Sequence, residues 1–209
     1  STSDGLMDMT MQGYYSKKGQ LWAAGSHNGR AAIATFDGQR WNMEHLPPLQ
    51  FGISYDGIKE LGDTSIVFSF NGVLSSYGPD SGGFIEYHYG SRKWRRHHPP
   101  QVPLRIPSIE QTSDGKLWFS GGTVSVFDGT KTYQLDSLFN GSRWTDDIAI
   151  SPDDKIWIAQ GGYGLFHFDG KVWQRFGIKN GLASNMVTNL YYENDKSVLI
   201  ATDNGISCF

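Results

Sequence analysis

Five positions in the chain stand at one fixed distance from a following landmark. Ten residues before Trp22, Val67, Trp118, Trp157 and Leu199 lie Gln12, Gly57, Ser108, Asp147 and Asn189, four polar side chains and a glycine inside otherwise apolar segments. One residue earlier stand Met11, Asp56, Pro107, Asp146 and Thr188. Amides, hydroxyls and carboxylates at one phase are groups that can hydrogen-bond a polar ligand. The aromatics Tyr55, Tyr77, Trp144 and Tyr163 fall in connecting stretches nearby. An aromatic face beside Asp and Asn holds a sugar well, because a sugar ring offers an apolar face and a hydrogen-bonding rim. The candidate ligand-binding set is therefore Gln12, Asp56, Ser108, Trp144, Asp147, Tyr163 and Asn189. A second reading gives the polar members to backbone groups and trapped water, since buried polar groups need partners, and gives Trp144 to loop anchoring. Both readings stand at this stage.

Catalysis finds less support. Asp56, Asp146 and Asp147 raise glycoside cleavage, which needs two carboxyl groups about 5–9 Å apart. Asp146 and Asp147 are adjacent, so in a strand their side chains point to opposite sides. Asp8, Glu60 and Glu110 add no pattern. Histidines 27, 45, 88, 97, 98 and 167 show no ligand spacing with Cys208 or an acid, and no calcium loop, nucleophile elbow or phosphate loop is present. No metal site, cofactor or catalytic residue is expected. The basic run "KWRRHHPP" (93–100) could meet an anionic glycan or phosphate, but begins on a segment that reads as a solvated sheet edge, where charge prevents unwanted pairing.

These residues must be positioned by a repeated element. "KKGQLWAAG", "SDGKLWFSGG" and "PDDKIWIAQGG" are near-copies, and their landmarks, with "TSIVFSF" and "KSVLIAT", are spaced by 45, 51, 39 and 42 residues. A second mark keeps phase: "FDGQRW", "HYGSRKW", "FDGTKTY" and "FDGKVW". Within one repeat, "DDIAI", "KIWIAQ", "GLFHF" and "KVWQRF" read as four short strands, and Asp-Gly between the last two reads as a two-residue type I′ hairpin. Four antiparallel strands per roughly 40 residues, repeated along the chain, are the pattern of an all-β propeller. The second strand must then be apolar on both faces, and the tryptophan fills the wedge between blades. A solenoid of separate sheets is the alternative; double-faced apolar strands with tight hairpins favour the propeller. No segment shows a helical apolar period.

About five blades are visible, over 6–46, 53–97, 105–138, 144–178 and 185–209, forming one domain. The second carries an insertion (71–83). The last stops where a fourth strand would follow, so the chain is expected to be a piece of a longer one. The loops 45–57, 97–108, 135–146 and 177–185, with 25–30, 71–83, 121–123, 161–164 and 202–205, should meet at one face around a central channel. The polar phase would line its mouth.

Composition bounds the partners. The 209 residues carry a net charge of −3, which gives no general attraction to nucleic acid or anionic membrane. No apolar run approaches the ~20 residues of a membrane span, and the one cysteine says little about redox compartment.

"GLASNMVTNLYYENDKSVLIATDNGISCF" (181–209) resembles the two-component regulator propeller repeat, with Gly181, Leu182, Ser184, Asn185, Val187, Asp195, Ala201, Thr202 and Gly205 in the matching places. "SPDDKIWIAQGGYGLFHFDG" and "TSDGKLWFSGGTVSVFDG" resemble its second half. The resemblance covers most of the chain and thins over 46–105, where Val67 stands for the tryptophan. It implies a β-propeller in a periplasmic or extracellular sensing region, binding a small-molecule or glycan ligand without catalysis. A protein-interaction scaffold in a cell-envelope or secretion assembly is the alternative, and a five-bladed glycan-cleaving enzyme the third.

Overall fold

The computed structural model describes residues 2–46, 53–70, 82–135, 144–194 and 197–209. The chain divides into two compact units, Ser1–Pro107 and Ser108–Phe209. Unit 1 holds two four-stranded antiparallel sheets. The first is β1 (Met9–Tyr15), β2 (Leu21–His27), β3 (Arg30–Phe36) and β4 (Trp41–His45); the second is β5 (Ile53–Leu61), β6 (Ser65–Phe70), β7 (Phe84–His88) and β8 (Lys93–His97). Unit 2 holds three sheets. Two are four-stranded: β9 (Ile109–Gln111), β10 (Leu117–Phe119), β11 (Ser125–Phe127) and β12 (Thr132–Gln134); then β13 (Asp147–Ile150), β14 (Ile156–Gln160), β15 (Gly164–Phe168) and β16 (Trp173–Phe176). The last is three-stranded, with β17 (Val187–Asn194), β18 (Ser197–Thr202) and β19 (Gly205–Cys208). Strands in every sheet follow chain order, each hairpinned to the next.

The turns explain the repeated words. Where the first strand meets the second, Ser16, Thr112 or Ser151 closes a tight turn on the residue four along: Ser16 N–H donates to the Gln20 carbonyl, Thr112 to Lys116 and Ser151 to Lys155, at 2.9–3.0 Å. The hydroxyls of Thr112 and Ser151 also reach the Lys116 and Lys155 carbonyls. In β2–β3 the turn is Asn28-Gly29, both left-handed, which is the type I′ arrangement.

The Asp-Gly turns differ from the sequence expectation. Only the glycine is left-handed (Gly38 φ 100°, Gly129 93°, Gly170 94°), while Asp37, Asp128 and Asp169 stand one place earlier and pair with Arg40, Lys131 and Val172. Each aspartate instead accepts two backbone N–H groups, two and three residues on, through one carboxylate oxygen at 2.8–2.9 Å. An aspartate bonding its own turn holds the chain without entering the left-handed region itself. These bonds draw all three carboxyls below the usual range, Asp37 to about 2.

The second strand is buried on both faces in the second and fourth blades, as its composition requires, whereas in the fifth only Val198 and Ile200 of β18 are buried. Ile66, Val67 and Phe68 of β6 are wholly buried, and all five residues of β14 are buried. In unit 1 the Trp22 face of the first sheet, with Ala24 and Ile33, packs on Ile58, Ile66, Phe68 and Ile85 of the second. In unit 2 Val124 and Trp118 meet Ile148, Ile156 and Ile158 of the next sheet, whose other face presents Trp157, Ala159 and Leu165 to Leu190, Val198 and Ile200. Trp157 stacks on His167 with ring centroids 3.9 Å apart, and its indole N–H donates to the Tyr192 hydroxyl at 2.6 Å. The three innermost strands of unit 2 thus stand side by side, which fixes where their polar phase falls.

Candidate binding site on the strand ends of the fourth blade

The polar phase coincides with a bulge. In β1 the pairing slips between Thr10 and Gln12, and Gln12 lies opposite Ala24; in β17 it slips between Val187 and Asn189, and Asn189 lies opposite Ala201. In the fourth blade the Asp146 N–H donates to the Ala159 carbonyl while Asp147 is the paired partner of Ala159. Two residues there oppose one, an arrangement that bends an inner strand and frees a side chain from the sheet's alternation.

The side chains at this phase have different fates. Asp147 is buried, and its two oxygens accept the backbone N–H of Ile148 and of Leu190, each at 2.8 Å. That carboxylate ties the fourth blade to the inner strand of the fifth. Ser108 is buried, donating its N–H to the Ser120 hydroxyl at 2.8 Å and accepting the Ser120 N–H at 3.1 Å. Asn189 is exposed. Gln12, in unit 1, is half-buried, with its Oε1 enclosed and without a hydrogen bond. Asp56 and Tyr55 lie in β5, but their side chains, like Tyr77, fall outside the described residues. Buried Glu60 accepts the Lys17 N–H and the Tyr89 hydroxyl, a link between the two sheets of unit 1.

Asp146 and Asp147 diverge. Asp146 accepts the Gly161 N–H at 3.0 Å and a hydrogen bond from the Trp144 indole. Burial pushes its carboxyl above the ordinary carboxylate value despite these two donors. Gly161 is needed for the approach, because a Cβ there would sit 2.8 Å from the Asp146 oxygen. The same turn carries Tyr163. The guanidinium of Arg175 donates through Nε to the Tyr163 carbonyl at 2.8 Å and lies 5.7 Å from the tyrosine ring centre.

The result is one strip on the strand ends of the fourth blade: Trp144, Asp146, the 161–163 turn, Tyr163 and Arg175. Trp144 is 41% exposed and Tyr163 36%. Met186, exposed, comes beside it, its sulfur within 3.7 Å of where a Gly162 Cβ would stand. Beyond Arg175 opens a cavity of about 550 Å³ lined by Arg175, Gly177, Ile178, Lys179, Asn180 and Asn185. Of the residues singled out from the sequence, the structure brings Trp144 and Tyr163 to this strip and leaves Ser108 and Asp147 bonded to backbone and a neighbouring hydroxyl. Arg175, Lys179, Asn180, Asn185 and Met186 were missed. The last four had one signal, position, because "GIKNGLASNM" connects the fourth blade to the fifth, while Arg175 on β16 had none.

Comparison with solved structures supplies the fold. PorZ, an essential bacterial surface component of the type-IX secretion system of Porphyromonas gingivalis, matches 96% of this chain at 15% identity and a TM-score of 0.73. The extracellular domain of BT3049, described as a hybrid two-component system of B. thetaiotaomicron, matches 97% at 18% identity and 0.68. Catalytically inactive virginiamycin B lyase from Staphylococcus aureus, with quinupristin, matches 94% of this chain and 68% of its own length at 14% identity and 0.65. The fold is a β-propeller. This chain covers 32% of the PorZ chain and 27% of the BT3049 chain, less than a third of either. No family model matches it, and no curated protein matches it. The propellers it resembles include a sensor domain, a secretion component and a lyase, so the fold by itself selects no activity.

Proposed function

We propose that this propeller is a non-enzymatic recognition module of a periplasmic or extracellular sensor, and that it takes a carbohydrate on the strand ends of its fourth blade. One observation carries the reading: a half-buried carboxylate, Asp146, is held by the part-exposed Trp144 indole and by the Gly161 N–H, and the part-exposed Tyr163 stands two residues further along that same turn. Stacking faces beside a fixed acceptor answer the two kinds of surface a sugar ring offers. The likeness to the BT3049 extracellular domain supports the sensing role. A glycan array tests it. The reading expects at least one glycan class to bind the parent and to lose signal with Trp144→Ala and Tyr163→Ala; an array on which nothing binds overturns it.

A second reading, a protein-interaction scaffold in an envelope assembly, draws on the likeness to PorZ. It expects an empty array, with a protein partner whose binding is indifferent to Trp144→Ala.

A further inference from the structure

The cavity beside Tyr163 has a one-sided chemistry. Asn180 Oδ1 accepts the Gly177 N–H at 3.1 Å, and Asn185 Oδ1 accepts the Ile178 N–H at 3.0 Å. With each amide oxygen turned to a backbone donor, the nitrogen end of each side chain is left to donate. Gly177 makes the second bond sterically possible, because a Cβ there would lie 2.7 Å from the Asn185 oxygen. Arg175 is held by its Nε bond to the Tyr163 carbonyl and by the tyrosine face, which leaves its terminal nitrogens to donate elsewhere. Lys179 completes the lining. Among the described residues, the polar side chains around this space are two cations and two amides, and no carboxylate lines it.

We infer that this cavity receives the anionic group, a carboxylate or sulfate, of an acidic saccharide whose ring lies on Tyr163. The inference rests on the carbohydrate reading and names the class of sugar. A guanidinium with free terminal N–H groups takes an oxyanion through paired, charge-assisted hydrogen bonds, and a lysine adds a point charge. The two amides are already oriented, so little ordering is needed when the anion arrives. The whole chain carries a net charge of −3, so a polyanion is not drawn to it by bulk charge.

The experiment compares dextran sulfate with unmodified dextran, the same sugar backbone with and without the oxyanion, by calorimetry at low salt. The parent should bind the sulfated polymer about tenfold or more tightly than the neutral one. Arg175→Gln with Lys179→Gln should lower that affinity about tenfold, while Lys171→Gln, an exposed cation on the β15–β16 turn, should leave it unchanged. Thermal melting of each variant checks that folding is intact, and Lys179→Gln alone, at an exposed position, serves if the double variant does not fold. Equal binding of the two polymers, or a double variant that binds like the parent, overturns the inference. Two outcomes separate it from the broader reading. If the cavity variants abolish binding while Trp144→Ala and Tyr163→Ala do not, the anion site stands without the sugar site. If a neutral glycan binds and depends on Trp144 while the cavity variants change nothing, the sugar site stands and the anion site falls.

Discussion

The fourth and fifth blades of unit 2 share a repeat and a register but not an environment. Leu165 lies opposite Ala159, and Ile206 lies opposite Ala201. Leu165 is fully buried against the fifth blade, whereas Ile206 is 72% exposed. In the first blade Ile33, opposite Ala24, is buried against the second. At the inner strand, Ala149 is buried and Tyr191, eight residues before Leu199 as Ala149 is before Trp157, is 66% exposed. Position in the repeat therefore does not set how much a side chain stabilises. What sets it is whether the next sheet covers that face.

The largest expected effect follows from that difference. Leu165→Ala should cost about 2–5 kcal/mol, the range for emptying a packed aliphatic site. Ile206→Ala should change stability by no more than about 0.5 kcal/mol, as for an open surface position. Urea denaturation of both variants reads the gap; equal losses would show that the repeat phase, not coverage, decides.

The polar phase offers the next contrast. Asp147→Ala leaves the buried N–H of Leu190 without its acceptor, and should cost about 1–3 kcal/mol. Asn189→Ala, at the same phase in an exposed site, should stay within about 0.5 kcal/mol. A small loss at Asp147 would mean that water replaces the carboxylate, and would return that residue to the candidate ligand set.

The smallest effect is in pH dependence, where two kinds of aspartate in the fourth blade should pull opposite ways. Asp146 is raised by burial, so its contribution is fully present below its unfolded pKa and is lost as pH climbs through its folded pKa. Asp169 is lowered by the N–H groups of Val172 and Lys171, so its contribution is present above the unfolded pKa and is lost as pH falls through the folded one. Asp146→Asn should therefore steepen the gain in stability with rising pH across the carboxylate range, and Asp169→Asn should flatten it. Denaturation midpoints between about pH 3 and 7 show either slope; unchanged slopes in both would reject the assignments.

Much of this was legible in the residues. Aliphatic-tryptophan pairs at blade spacing located the strands apolar on both faces, because a sheet packed on two sides leaves no polar face to alternate. The polar phase was also visible, but not its use. Asp147 and Asn189 look equivalent in sequence, yet one carboxylate crosses to the neighbouring strand and the other side chain meets solvent, a difference made by the bulges and by which sheet lies alongside. The Asp-Gly words marked turns correctly while hiding that the aspartate bonds its own backbone. Arg175, Lys179, Asn180 and Asn185 were not legible as a group, since their convergence depends on how Gly177 lets the connection fold against Asn185.

The most direct test of the central claim is calorimetric titration of a glycan drawn from the array against the parent and Trp144→Ala. A binding strip at the fourth blade predicts a loss of about 1–3 kcal/mol in affinity, the range for truncating an anchor at an interface, with the variant still folded and its melting temperature lowered only by the lost indole bond to Asp146, because the indole is part-exposed. An affinity equal to the parent's would contradict it and place the carbohydrate elsewhere on the molecule.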